Sequence, residues 1–107
     1  MTEIKLDVHT HTIVSGHAFS TLNEMIAEAQ KHHLTLFGVT EHGPAIPGTC
    51  PPIYFRNQHV VPRQYGDMRL LLGAELNIID YEGNVDITDD ETLDSMDHII
   101  AGLHKLC

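Results

Sequence analysis

Cationic side chains are scarce in this chain: six Lys and Arg stand against fifteen Asp and Glu, a formal charge of −9 over 107 residues. That balance disfavours non-specific binding to nucleic acid or to an anionic membrane, both of which need a basic face. It leaves a phosphate substrate open, because bound divalent cations would reverse the sign of the local field. Cysteine is nearly absent. Cys50 and Cys107 are too few and too far apart for a disulfide framework or a Cys-rich zinc site, and both are expected to be reduced thiols without a role. No apolar run approaches the roughly 18 to 20 residues that span a bilayer. The opening Met1-Thr2-Glu3-Ile4-Lys5 lacks the basic region and apolar stretch of a secretory signal. A cytoplasmic protein with no membrane partner is expected.

Hydrophobic residues make up 42% and charged residues 20% of the chain, the balance of an ordinary globular protein with enough length for one small domain. Residues 4–9 alternate apolar and polar and predict a first strand. A Thr-, Ser- and Gly-rich loop follows. Thr21-x-x-Glu24 is a capping box, and Leu22, Met25, Ile26 and Ala29 form one apolar face of a helix over residues 21–33. Residues 34–40 form an apolar run of strand length, suited to burial on both faces of a parallel sheet. All five prolines fall within residues 43–66, a long connection with a short helix expected near 53–60; a loop of this length is more often functional than idle. Further strands are expected over 69–78, 85–87 and 98–104, with a turn at 81–84 and a brief helix within 89–95. The order is broadly βαβ(loop)ββαβ, an α/β fold with a largely parallel sheet.

Histidine is the abundant residue, with nine copies spread along the chain. His9 and His11 are two apart, so in extended backbone both rings leave one face, a natural pair of ligands for a borderline metal such as zinc. His17 follows in the loop. His42 comes directly after the second strand, Glu75 near the end of the third main strand and His104 at the end of the last. In parallel strands these ends share one edge of the sheet, where α/β folds build their sites. A lone His at a strand end is more often solvated or hydrogen-bonded than ligating. Glu75 lies in an apolar strand, where an unpaired carboxylate is costly; a metal would remove that cost, as would an Arg partner. Asp7 shares a face with His9 and fits either a supporting contact behind the ligands or a solvated partner for Lys5. His32 and His33 suit a helix C-terminus. His98 and His59 are expected at the surface, His59 with the option of facing a substrate.

Asp7-Val8-His9-Thr10-His11-Thr12 resembles the opening motif of the PHP (polymerase and histidinol phosphatase) superfamily. The likeness runs on through His17, Thr40-Glu41-His42-Gly43-Pro44, Gly73-Ala74-Glu75-Leu76-Asn77 and residues 97–104, and so covers essentially the whole chain. Order and spacing are most similar to the small single-domain trinuclear-zinc phosphatases of that superfamily. The resemblance implies a distorted (βα)7 TIM-like barrel with up to three divalent ions, zinc favoured and manganese or iron possible. His9, His11 and Glu75 would hold the first ion, and His17 and His42 the second. Glu75 would bridge to the third, which His104 also binds. The implied chemistry is hydrolysis of a small phosphate monoester by a metal-bound hydroxide, with no side-chain nucleophile. Arg63, in Val61-Pro62-Arg63, matches a Pro-Arg pair of the family and is the candidate phosphate contact.

The family pattern has nine ligands, three of them in a second half of the barrel. Residues 1–107 therefore read as the N-terminal portion of one PHP domain: an incomplete coding sequence, an expressed fragment, or a short product that self-associates. Three functions compete. The parent protein is a phosphatase acting on a small phosphorylated substrate, or a PHP-type nuclease, against which the acidic balance counts, or the chain alone is a metal-binding fragment without turnover.

Overall fold

The computed structural model describes residues 3–104, so the expectation for Cys107 lies outside the described residues. Strand β1 (Leu6–Asp7) is followed by a 3-10 turn (Ile13–Ser15), helix α1 (Leu22–Lys31) and strand β2 (Leu36–His42). Helix α2 (Pro52–Arg56) runs into a second 3-10 turn (Asn57–Val60). Strands β3 (Gln64–Tyr65) and β4 (Met68–Asn77), helix α3 (Asp90–Asp94) and strand β5 (His98–Gly102) complete the order.

β4 is the centre of the sheet. One of its edges pairs in parallel with β2, with His42 opposite Glu75, and β2 in turn pairs in parallel with β1. The other edge takes β3 in a short antiparallel hairpin at its start and β5 in parallel along its end. The sheet curls, and the His98 ring at the start of β5 reaches the chain just after β1, with Nε2 3.1 Å from the carbonyl oxygen of Val8. His98, expected at the surface, is half-buried for this reason. The architecture is a mixed α/β fold with a curled, mainly parallel sheet, compatible with part of a TIM-like barrel.

The α1 capping box forms as expected: the Thr21 hydroxyl accepts from the Glu24 backbone N–H, and the Glu24 carboxylate accepts from the Thr21 N–H at 2.9 Å. This satisfies two free donors at the helix start. Ile26 and Ala29 bury the inner face of α1 against Phe37 and Val39 of β2 and Leu70 and Leu72 of β4. His33, at φ 60°, reverses the chain after the helix, and the His32 ring lies 3.2 Å from Glu28 one turn back. A second cluster joins Cys50 and Phe55 to Ala74, Leu76, Ile87 and Met96. Burial there pushes the Cys50 thiol up to about 12, which keeps it protonated and unreactive.

Two expectations change. β1 is much shorter than residues 4–9, because only Leu6 and Asp7 find partners on β2. Residues 85–87 are not a strand; Val85 makes a single bridge to Ile78. Asp86 instead turns inward, its carboxylate accepting from the Asn77 N–H, the Asn77 side chain and the Ala45 N–H at 2.6–3.0 Å. Those bonds tie the loop after β2 to the end of β4 and hold the segment off a regular ladder. No helix among the described residues is long and apolar enough to cross a membrane.

Candidate metal centre

β2 and β4 end in register, which sets His42 beside Glu75. The turn after β1 carries His9 and His11 onto the same edge, and the chain leaving β5 brings His104. Glu75 is the hub. Its Oε1 lies 2.7 Å from His9 Nε2, 3.0 Å from His11 Nε2 and 3.8 Å from His42 Nδ1, and its Oε2 lies 3.0 Å from His104 Nε2. His17 completes the group, its ring centroid 5.0 Å from that of His11 and 4.8 Å from that of His42. The rings of His11 and His42 stack at 4.4 Å. All six expected ligands therefore converge, and their donor atoms form three overlapping groups: His9–His11–Glu75, His11–His17–His42 and His42–Glu75–His104. His11 and His42 each belong to two groups, where the family resemblance gives each a single ion.

The fit to divalent ions can be judged from the donors themselves. The Nδ1 atoms of His42 and His104 are buried without a hydrogen-bond partner, a cost that a coordinated cation removes. His9 and His11 also direct their Nε2 atoms toward one another at 3.4 Å beside the same carboxylate oxygen. One carboxylate cannot neutralise this many imidazolium rings, so most of the rings are neutral. Neutral rings with bare nitrogens around a carboxylate are a donor set for zinc, manganese or iron. The residues fit the group.

The electrostatics run the same way. Burial, and then the neighbouring His11, push His42 down to about 4 against the opposing pull of Glu75. Burial also lowers His11, again opposed by Glu75. For Glu75 burial acts upward, but the hydrogen bond with His9 and the charges of the surrounding rings outweigh it, so its carboxyl lies below the usual range. At neutral pH the lowered rings of His11 and His42 are neutral beside the ionised Glu75 carboxylate, so each has a nitrogen lone pair to offer an ion.

Gly102 matters to this geometry. A Cβ there would stand 2.9 Å from Glu75 Oε2 and 3.2 Å from the His104 ring, so any larger residue would push on two of the candidate ligands.

The remaining candidates lie elsewhere. Asp7 accepts from the His9 backbone N–H at 3.3 Å and holds the turn rather than the ring. Arg63 is tied to Asp97 at 2.6 Å and to the carbonyls of Gln58 and Val61. Asp97 precedes β5 and His104 follows it, so Arg63 sits at the end of that strand away from the six candidate ligands. His59 Nδ1 lies 2.9 Å from its neighbour's carbonyl, at Arg56.

Sequence reasoning passed over two residues. Glu41 is wholly buried, and its carboxylate accepts from the Thr12 backbone N–H at 2.9 Å, the Thr12 hydroxyl, the Ser15 hydroxyl at 2.8 Å and the Tyr54 hydroxyl at 3.4 Å. Ser15 in turn touches His11 Nδ1 at 3.0 Å and takes the His42 backbone N–H at 2.9 Å. The signal was a carboxylate inside an apolar strand beside His42, the pattern that drew attention to Glu75.

Comparison with known proteins gives a coherent result. Residues 7–106 match the PHP domain family. A probable phosphatase of Caldicellulosiruptor bescii is 46% identical over 104 residues, covering 97% of this chain and 43% of that protein. A probable phosphatase of Clostridium botulinum is 48% identical over 102 residues, covering 95% of this chain and 42% of the relative. The chain thus spans less than half the length of these curated relatives. With the family match running over nearly all of its residues, the chain belongs to the PHP domain family.

Proposed function

We propose that this chain carries the first part of the metal centre of a phosphoesterase that hydrolyses a small phosphate monoester, its curled sheet being part of a distorted (βα)7 barrel. The observation that carries the reading is the convergence of five histidines and Glu75 in three overlapping groups. The relatives' description as probable phosphatases supports the reaction class. Ions held in such a cluster supply concentrated positive charge for a phosphate and make water acidic enough to serve as a nucleophile at neutral pH.

The chain's residues prepare for that chemistry. Glu75 spreads its two oxygens over two of the groups and would hold an ion in each. His42 and His104 present bare ring nitrogens rather than competing hydrogen bonds. His17, at the exposed rim, closes the third group from the solvent side. Arg63 serves the phosphate only if it leaves Asp97, so its first role in this chain is structural.

A second reading has its own support. The chain spans 43% of a relative's length, and among the described residues each group offers three protein donors. The isolated chain is then a metal-binding piece, and turnover needs further ligands from the rest of a longer protein or from a second copy. A nuclease is disfavoured by the net charge of −9.

The test is zinc uptake by the chain after dialysis, with hydrolysis of p-nitrophenyl phosphate measured alongside. Binding that is lost in His9→Ala, with turnover abolished by a chelator, supports the phosphatase. Binding without turnover supports the fragment reading. Hydrolysis indifferent to both chelator and His9→Ala would sink the metal mechanism.

A further inference from the structure

We propose that Glu41, acting through Ser15, fixes the ring proton of His11 on Nδ1 and so presents a bare Nε2 to the ions; both are positioning residues. This rests on the metal-centre reading above and concerns how the chain prepares one ligand of it.

The inference follows from counting protons. The Ser15 oxygen has one proton to give and two lone pairs to offer. The His42 backbone N–H, 2.9 Å away, can only donate, so it takes one lone pair. The proton and the second lone pair remain for Glu41 Oε1 at 2.8 Å and His11 Nδ1 at 3.0 Å. Glu41 is surrounded by donors: the Thr12 N–H, the Thr12 hydroxyl and the Tyr54 hydroxyl all point at its oxygens. The Thr12 hydroxyl proton is free for this, because its oxygen already accepts from the Val14 N–H. Three donors occupy three of the four lone-pair positions of its two oxygens, and the fourth faces Ser15. A carboxylate facing Ser15 takes the hydroxyl proton; the reverse assignment would set two lone pairs against each other in a buried site. Ser15 then offers only a lone pair to His11, and His11 Nδ1 must carry the hydrogen. Its Nε2 is left bare, 3.0 Å from Glu75 and 3.4 Å from His9 Nε2, and it is a cation between nitrogen and carboxylate that would relieve this contact of lone pairs. A ligating histidine is commonly oriented by a partner at its other nitrogen. Here that partner is a neutral hydroxyl whose direction is set by a buried carboxylate.

The same network holds His42. Ser15 caps its backbone N–H while touching the ring of His11, so one hydroxyl spaces the two stacked rings.

The test compares the unmodified chain with Glu41→Gln and Ser15→Ala. Glu41→Gln keeps the shape but can turn an N–H toward Ser15, reversing the hydroxyl. Zinc affinity, measured by chelator competition, is expected to fall by about 10–100-fold in both variants. The second readout is the 15N–1H correlation of the His11 ring in the zinc-loaded chain. A slowly exchanging Nδ1–H is expected in the unmodified protein, and its protection is expected to be lost in both variants. Tyr54→Phe, which removes only the longest contact to Glu41, should leave the Nδ1–H signal in place. If Glu41→Gln does not fold, Ser15→Ala decides, since it deletes one oxygen and adds no volume. Unchanged affinity with an unchanged Nδ1–H signal would overturn the proposal and leave the metal centre standing. An unmodified chain that takes up no zinc would remove the metal centre and this inference together.

Discussion

At the scale of single residues, the centre depends on Glu75 more than on any one histidine, because it is the one carboxylate of the donor groups and its oxygens lie 2.7–3.8 Å from the nitrogens of four rings. Glu75→Gln should therefore reduce zinc uptake beyond the roughly 10–100-fold that loss of an outer hydrogen-bond partner costs, while His17→Ala should spare the groups that contain Glu75. Metal analysis after dialysis separates the two. A pH effect follows from His42, whose ring falls from its ordinary value of 6.5 to about 4 in the fold. Between those values the unfolded chain binds a proton that the folded chain refuses, so stability rises with pH across this window and declines as pH falls through it. The metal-free chain should lose up to about 3 kcal/mol on this account between pH 7 and pH 4, with His11 acting in the same direction. Urea midpoints across that range check the prediction, and His42→Gln should flatten the slope. The clustering of the six candidate ligands was legible in the sequence because each sits at a strand end or in the turn beside one, where a register argument reaches. Ser15 was not legible: a serine in a Thr-, Ser- and Gly-rich loop has no pattern that marks it. Arg63 was assigned from a two-residue match, and its position depends on Asp97, which no local spacing predicts.

At the scale of elements, α1 and the β4–β5 pair invite contrasting tests. Thr21→Ala removes one arm of the capping box and should cost about 1 kcal/mol without altering zinc affinity, since α1 contributes no ligand. Gly73→Ala should be far more damaging. A Cβ at residue 73 would stand 1.5 Å from the His98 carbonyl oxygen, so β5 would have to leave β4 and take His104 with it. Loss of both cooperative unfolding and zinc uptake is expected, read by circular dichroism and metal analysis. The helix α1, the buried β2 and the long β4 were visible in the sequence because periodicity and apolar runs report burial directly. The β3–β4 hairpin was not, being only two residues long on one side. The missing strand at 85–87 shows the limit of pattern: Val85-Asp86-Ile87 alternates correctly, yet Asp86 is drawn inward by the unpaired N–H groups of Asn77 and Ala45.

At the scale of the whole molecule, the sheet is asymmetric. β4 is paired on both edges, while β1 and β5 each have one edge without a partner among the described residues. Ile4, Leu6, Ile99 and Leu103 are exposed along these margins. Open edges with apolar residues favour association, so the chain should form concentration-dependent oligomers, measurable by light scattering across a dilution series. Ile99→Lys, which places a charge on the β5 margin, should shift the distribution toward monomer. Fold class could be read from strand and helix order, because a parallel sheet needs helical or long crossovers and the sequence spaces its apolar runs accordingly. What closes the outer edges could not be read, because edge pairing is a long-range property carried by whichever chain supplies the next strand.

The register that places His42 beside Glu75 has a mechanical consequence. The donors come from stretches of chain 66 residues apart at His9 and Glu75 and 29 apart at Glu75 and His104. Ions held by the two groups that share Glu75 would act as removable cross-links, closing two large loops in the unfolded ensemble much as a pair of disulfides would. In a chain whose one described cysteine is buried and unpaired, metal loading would then add to folding stability, and the chelated protein would be the softer and more open of the two forms.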